Sequence, residues 1–561
     1  MSLRPRHETA LINELRQISL KFGEPFCSRK VELLTITTGL TIHKAKEILL
    51  YHDTLLCLLA WPENKVIFHR TVSAMKKLIA DTKKNMLINK NLEAELDGTG
   101  IAGTELTGRF SYAIARWLVH EFYTDTELHS SLAYPETIKS FFRQLIPAVE
   151  YENVSVGELN LLQRIKKLKG SNKVTAIGWL IHLLEAAQLP YQTKEFLFNE
   201  LRPFINWKLN HHLFNRSSLT LTTKKIAFQQ SVAPPTEILK TITAKLPLPS
   251  RLTRKQKKQL VSIARATLIF MYRETEPFSY ADEKEVQLFE LENGISIALY
   301  SMIKEQRLSI ESYVGYLLFK NGIPVAYGGG WIFGERCQFG INILPPFRNG
   351  ESSYFFSQLL RVYHKYYGIK SFVIKPYQFG KNNTEALKSG AFWFYYKHGF
   401  RSDKEELQAL AIQESEKKRK DSKYRTPVSL MKKFTGATLS LNLSKKTIPL
   451  FDAAIVSQAI TDFINKEYNG NRNAALLACV KKSKKELPSK ALAGWNQYEK
   501  KVWQHWSLLV QTFLSVSKWS PFAKKELVDL IKAKGGSKET SFIKRLQKHR
   551  QFWKALTNKV K

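Results

Sequence analysis

The chain has 561 residues, of which 44% are hydrophobic and 24% charged, with 20 Pro and 27 Gly. This is a globular composition, long enough for about three to four domains, and it excludes wholesale disorder and a fibrous repeat. Lys+Arg 86 against Asp+Glu 49 gives a formal net charge of +37, so a polyanion is an expected partner: nucleic acid, anionic lipid, a phosphorylated cofactor or an acidic carrier protein. The alternative is a basic surface that serves only solubility.

The N-terminal MSLRPRHETA has no apolar core behind its charges, so no signal peptide is expected. The first 250 residues read as helical. Leu11, Leu15, Ile18 and Phe22 recur at helical spacing, as do Phe110, Ile114, Trp117 and Leu118, and the pattern continues from Trp179. No fixed period of 20–50 residues marks a solenoid. The most apolar stretches, 48–61 and 174–189, are interrupted by His52 and Asp53 and by His182 and Glu185. Neither reaches the roughly 20 residues needed to cross a bilayer. Gly98-Thr-Gly100-Ile-Ala-Gly103 spells GxGxxG, but a polar, helix-prone segment precedes it instead of a buried strand, so it reads as a loop between helices.

Pro234, Pro235, Pro247 and Pro249 crowd an aperiodic stretch, and a basic run follows at 251–258, which places a boundary near residue 250. Beyond it the period changes to that of strands. Segments 286–291 and 295–302 flank Glu292-Asn293-Gly294, and 315–320 and 325–333 flank Asn321-Gly322; both are hairpin signals. A strand at 338–344 precedes a helix marked by Phe355, Leu359, Val362 and Tyr366. A strand at 372–375 and a helical piece ending at Gly399 complete a mixed α/β pattern. Residues 441–561 read as helical again, with Val502, Trp506, Leu509 and Phe513 on one face. This tail carries 24 Lys/Arg against 8 Asp/Glu, a net of +16. Lys481, Lys482, Lys484 and Lys485 are expected in a loop, and Lys544, Arg545 and Lys548 on a helix face. Three domains are expected: helical 1–250, mixed 251–440 and basic helical 441–561.

The four cysteines, Cys27, Cys57, Cys337 and Cys479, form no CxxC, and the histidines show no HExxH or HxH. No metal centre or disulfide framework is expected, and a cytoplasmic location fits best. GxSxG and GxxxxGK[ST] are absent, which removes support for serine-hydrolase and P-loop chemistry. Tyr327-Gly-Gly-Gly-Trp331 is unusual for a strand and suggests room for a substrate or a packed helix.

Two segments carry a resemblance. Ile343-Leu-Pro345-Pro-Phe-Arg348-Asn-Gly350 has the layout of a strand, a loop and a helix start. Some 40 residues on comes Ala391-Phe-Trp-Phe394-Tyr395-Tyr-Lys397-His-Gly399-Phe400. The spacing of Ile343, Pro345 and Arg348, and the ending with Tyr395, Lys397, Gly399 and Phe400, resemble the GNAT superfamily of acyl-CoA-dependent N-acyltransferases. The resemblance covers about residues 285–400 and implies a GNAT-like mixed sheet flanked by all-α domains. It implies that the strands at 338–344 and 372–375 run parallel and splay, with the pantetheine arm of an acyl thioester between them. Acetyl-CoA or another acyl-CoA is then the expected donor, and an amine on a small molecule, peptide or lipid precursor the acceptor. Ile343 and Leu344 would line the donor, and Arg348, Asn349, Gly350, Ser352 and Ser353 would hold its phosphates at a helix start. Tyr395 falls where the family's tyrosine protonates the leaving thiolate, and Glu335 is the candidate base. The sequence departs from the family at Glu351, Ser353 and Lys388. A Glu351 carboxylate facing the phosphates would repel them, whereas one turned along the helix start would not. Two other readings stay open: a donor of another kind (aminoacyl-tRNA or acyl carrier protein), and a non-catalytic scaffold whose basic surface binds nucleic acid or an acidic protein.

Overall fold

The computed structural model describes residues 5–209, 214–223, 225–233, 237–348, 350–444 and 453–560. The expected N-terminal helices are present. Leu11, Leu15 and Ile18 lie on the helix Pro5–Ile18, Ile114 and Trp117 on Tyr112–Glu121, and Trp179 on Ala176–Ala186. Phe22 and Phe110 fall just outside their helices. The region is nonetheless not all-α, which corrects the expectation. β1 (Leu106–Arg109), β2 (Thr126–Ser131) and β3 (Pro203–Trp207) form an antiparallel sheet in the order β1-β3-β2. Pro203 is tolerated on the central strand because it is the strand's first residue. Pro203, Ile205 and Trp207 are buried in strict alternation. Trp207 stacks on Phe270, just beyond the helix Arg254–Ile269, with centroids 5.9 Å apart. The GxGxxG loop joins the helix Lys90–Leu96 to β1, so it has a strand, not a second helix, behind it.

The central sheet is built from β4 (Gln287–Glu290), β5 (Ile295–Tyr300), β6 (Ser312–Lys320), β7 (Ile323–Phe333), β8 (Arg336–Ile343), β9 (Ser371–Ile374), β10 (Arg401–Ser402) and β11 (Leu439–Asn442). Their order is β10-β11-β9-β8-β7-β6-β5-β4. Both hairpins form where expected. Asn293 and Gly294 take φ of 57° and 70°, and Asn321 and Gly322 take 47° and 81°, the left-handed values that tight hairpin turns require. All neighbours are antiparallel except β8 and β9.

The helix Ser352–Tyr367 covers one face. Its Tyr363 donates to Val314 O at 2.7 Å and meets the rings of Tyr316 and Phe339. Residues one place along each strand point the other way. There Tyr300 donates to Leu260 O of Arg254–Ile269, and Pro277 of the short helix Glu276–Ser279 covers Gly315. One apolar cluster runs from Leu11 through the sheet to Leu441. The stretch around residue 250 runs alongside it, with Ser250 N–H bonded to Leu288 O at 2.8 Å.

The tail is not helical from residue 441 as expected, because β11 runs across that boundary to Asn442; its described residues 453–560 are helical. Lys481, Lys482, Lys484 and Lys485 are not in a loop; they sit on the helix Arg472–Glu486, started by Asn471, whose side chain accepts from Ala474 N–H. Trp503, Trp506 and Phe513 build a second apolar cluster, closed by Ile310 and Phe333 of the central region. Trp506 donates to Ser309 O at 2.9 Å, and Arg307 donates to Gly536 O and Ser537 O. Among the described residues no helix is long and apolar enough to cross a membrane.

Candidate functional site

β8 and β9 pair only at Arg336–Ser371, Cys337–Phe372 and Gln338–Val373. β9 then ends and the chain turns at Pro376, while β8 runs on to Ile343, paired only with β7. Leu344 N–H donates to Val325 O on the β7 side at 2.9 Å. Backbone groups alternate along a strand, so those of Ile341 and Ile343 point into the gap. No described residue bonds the N–H or C=O of Ile341 or the N–H of Ile343; Ile343 O accepts only a 3.4 Å contact from Arg348 Nε. The strands run parallel, part after three residue pairs and leave an unused edge.

The gap is lined by aromatic and amide groups. Gln378 lies over Gly340, with Nε2 3.1 Å from where a Cβ would stand. Tyr316 donates to Gly340 O at 2.8 Å. Tyr395, on the helix Ala391–Lys397, packs among Phe356, Phe379 and Phe400 and is only 3% exposed. Its hydroxyl has no hydrogen-bond partner among the described residues. Burial pushes its pKa well above the ordinary tyrosine value, and also that of Tyr316, on which Tyr395 acts electrostatically. The phenol is therefore held in its neutral form.

The loop after β8 is tighter than a phosphate cradle. Asn349 lies outside the described residues. A Cβ on Gly350 would stand 2.7 Å from the ring of Trp61. That ring, fully buried at the end of the helix Ala45–Ala60, stacks on Phe355 at 6.0 Å. Arg348 stays exposed and pairs with Glu385 of the helix Thr384–Lys388 at 2.6 Å, which ties the two sides of the gap together. Ser352 Oγ donates to Arg348 O at 3.1 Å. Ser352 and Ser353 begin a helix with no side-chain cap, and both are half-buried.

Glu351 takes neither expected orientation. It is buried, 2.8 Å from Lys320 Nζ at the end of β6, and also accepts from Gln229 Nε2 and Ala233 N–H at 2.8 Å each. Lys320 donates in addition to Asn293 O. Burial raises the Glu351 pKa, but Lys320 and these donors outweigh it and hold the carboxyl below its ordinary value. Burial is the larger influence on Lys320 and lowers its pKa. With three donors on the carboxylate and two acceptors on the ammonium, the pair is a charged one. The sequence could not announce it, because Lys320 is 31 residues away and Gln229 is 122.

Glu335 stands at the closed end of the strand pair, not at the gap. Its carboxylate accepts from Lys370, and its main-chain oxygen accepts the N–H groups of Lys370 and Ser371. Five residues of strand, roughly 17 Å, separate it from Gly340, so it cannot act as base there. The room suggested by Gly328, Gly329 and Gly330 is also taken. Their Cβ positions meet Gly340 O, the Tyr313 ring and Cys337 Sγ respectively. Gly328→Ala, 2.4 Å from a main-chain oxygen, is expected to destabilise the protein by about 1–3 kcal/mol in urea titration. Among the described residues no His, Cys, Asp and Glu group could hold a metal ion.

No protein-family model, curated protein or solved structure matches the chain. The site therefore rests on its own geometry. Tyr316, Gln378, Trp61 and Lys320 are the residues that sequence reasoning missed. Only Tyr316, an aromatic residue on the hairpin arm facing the glycine run, left a local signal.

Proposed function

We propose that the sheet of residues 287–442 is a GNAT-like N-acyltransferase core that passes an acyl group from a thioester to an amine. The supporting observation is the parting of β8 from β9 beside unpartnered backbone groups of Ile341 and Ile343. A pantetheine arm would pair there as an added strand, its thioester near Gly340. The uncharged amine attacks the thioester carbonyl carbon, the C–N bond forms and the C–S bond breaks. The departing sulfur takes the Tyr395 hydroxyl proton, water removes the proton from the amine, and a proton returned by water restores the Tyr395 hydroxyl. Acetyl-CoA or another acyl-CoA is the donor in this reading. Its phosphates would lie at Arg348 and at the amides of Ser352 and Ser353, because Trp61 already occupies the space beside Gly350.

That occupied space favours a second reading, in which the thioester is presented by an acyl carrier protein. Calorimetry with acetyl-CoA tests the first. Glu385→Ala frees Arg348 from a surface ion pair worth about 0.2–1 kcal/mol, so it should tighten binding by up to about fivefold. Arg348→Ala should weaken it about tenfold, the loss of one hydrogen bond to a charged group. No heat with acetyl-CoA, but binding of an acylated carrier protein, would select the second reading.

A further inference from the structure

A cleft of about 1150 Å3 opens far from the β8–β9 gap, where three parts of the chain meet. The N-terminal region contributes the segment from Gln188 to Gln192, the central region Lys304 to Ser309, and the tail one face of the helix Gln497–Leu509. Its walls are fixed. Gln192 Nε2 donates to Glu305 O at 3.3 Å, Trp506 to Ser309 O, and Arg307 to Gly536 O and Ser537 O. Arg307 and Lys534 are both ion-paired to the buried Glu539, so their charge is already met. Three cations remain exposed at the cleft: Lys304, Lys500 and Lys501. Among the described lining residues the one acid is Glu305, and Tyr498 already bonds it.

We propose that this cleft binds single-stranded nucleic acid through its phosphodiester backbone. Lys304, Lys500 and Lys501 supply charge from two walls, and the amides of Gln188, Gln192, Gln497 and Gln504 supply donors and acceptors for phosphate, sugar and base edges. Tyr498 presents an aromatic ring beneath Lys304 Nζ, 4.3 Å from its centroid. Cations interleaved with aromatic and amide groups in a concave cleft suit a flexible polyanionic strand. A lipid surface would need exposed apolar anchors here, and a folded acidic domain would need a broader, flatter face. The site is independent of acyl transfer, and it is separate from the lysines of the helix Arg472–Glu486.

The test is fluorescence anisotropy with a labelled 12-nucleotide single-stranded RNA across 50–300 mM KCl. Three neutralised phosphates at about 0.7 counterions each predict a log–log salt slope near −2. Lys500→Ala/Lys501→Ala should flatten it to about −0.7. The same counterion arithmetic, referred to 1 M salt, gives roughly fourfold weaker binding per lysine at 0.15 M, hence about fifteenfold for the pair. Both side chains are exposed, so the variant keeps its fold. Tyr395→Phe should bind the RNA as the wild type does, which separates this proposal from the acyltransferase reading. Absence of RNA binding at 50 mM salt, an unchanged slope in the double variant, an equal loss from Lys481→Ala/Lys482→Ala, or equally effective competition by polyglutamate would each overturn it.

Discussion

Tyr395→Phe is expected to slow the proposed acyl transfer about a hundredfold while leaving donor affinity within twofold of wild type. A positioned proton donor contributes about 10²–10⁴. The lower end applies because a thiolate, with a conjugate acid near pKa 8.5, leaves without full protonation. The pH profile separates this role from packing. Burial raises the Tyr395 pKa above its ordinary value of 10.0, so the phenol stays protonated throughout the working range. The rate should rise with pH as the acceptor amine loses its proton, and Tyr395 should impose no fall below pH 10. In the Phe variant the rise should persist at a lower rate. Steady-state kinetics from pH 6 to 10 checks this. A variant with wild-type turnover would leave Tyr395 as a core aromatic alone.

Lys320→Met should be the most destabilising single change in the loop region, by about 3–5 kcal/mol. It leaves the fully buried Glu351 carboxylate with no counter-charge. Lys320→Met/Glu351→Leu should recover much of the loss, because an apolar pair of similar volume avoids two buried charges. Urea denaturation of the two single variants and the double variant closes the cycle. The pH dependence follows from the lowered Glu351 pKa. Its contribution is fully present above the unfolded value of about 4.5 and is lost as pH falls through the lower folded value. Removing Lys320 takes away the main force holding that pKa down, so acid unfolding should begin at higher pH. Glu351→Gly should likewise destabilise the protein, and it should not improve acetyl-CoA binding, because Trp61 still covers Gly350.

Local chemistry explains what the sequence revealed. Asn-Gly turns, continuous apolar strand segments and a 3.6-residue apolar period are written in neighbouring residues, so β4 to β9 and the helix Ser352–Tyr367 emerge within a few positions of their observed limits. β1, β2 and β3 were hidden because each is four to six residues long and lies between strongly periodic helices. β11 was hidden for the same reason, and it enters between β9 and β10, out of chain order. The roles proposed for Arg348 and Tyr395 could be posed from the resemblance of their segments to the GNAT motifs. The environment of Glu351 could not, since Lys320, Gln229 and Ala233 meet it only through tertiary folding. Trp61 over Gly350 joins residues 289 positions apart in the chain, and no periodicity carries such a contact.

The position of Trp61 has a kinetic consequence. Its ring is made early, but Phe347, Gly350 and Phe355, which cover it, are made almost 300 residues later. The sheet that holds them is complete only when β11 emerges and lies against β9. At roughly 5–20 residues per second, the ribosome needs on the order of half a minute to travel from Trp61 to Asn442. Throughout that interval the emerging chain presents an aromatic surface without its cover. Nascent chains halted before residue 442 should therefore be held by chaperones that recognise apolar surface, and release should await the tail helices that cover Ile310 and Phe333.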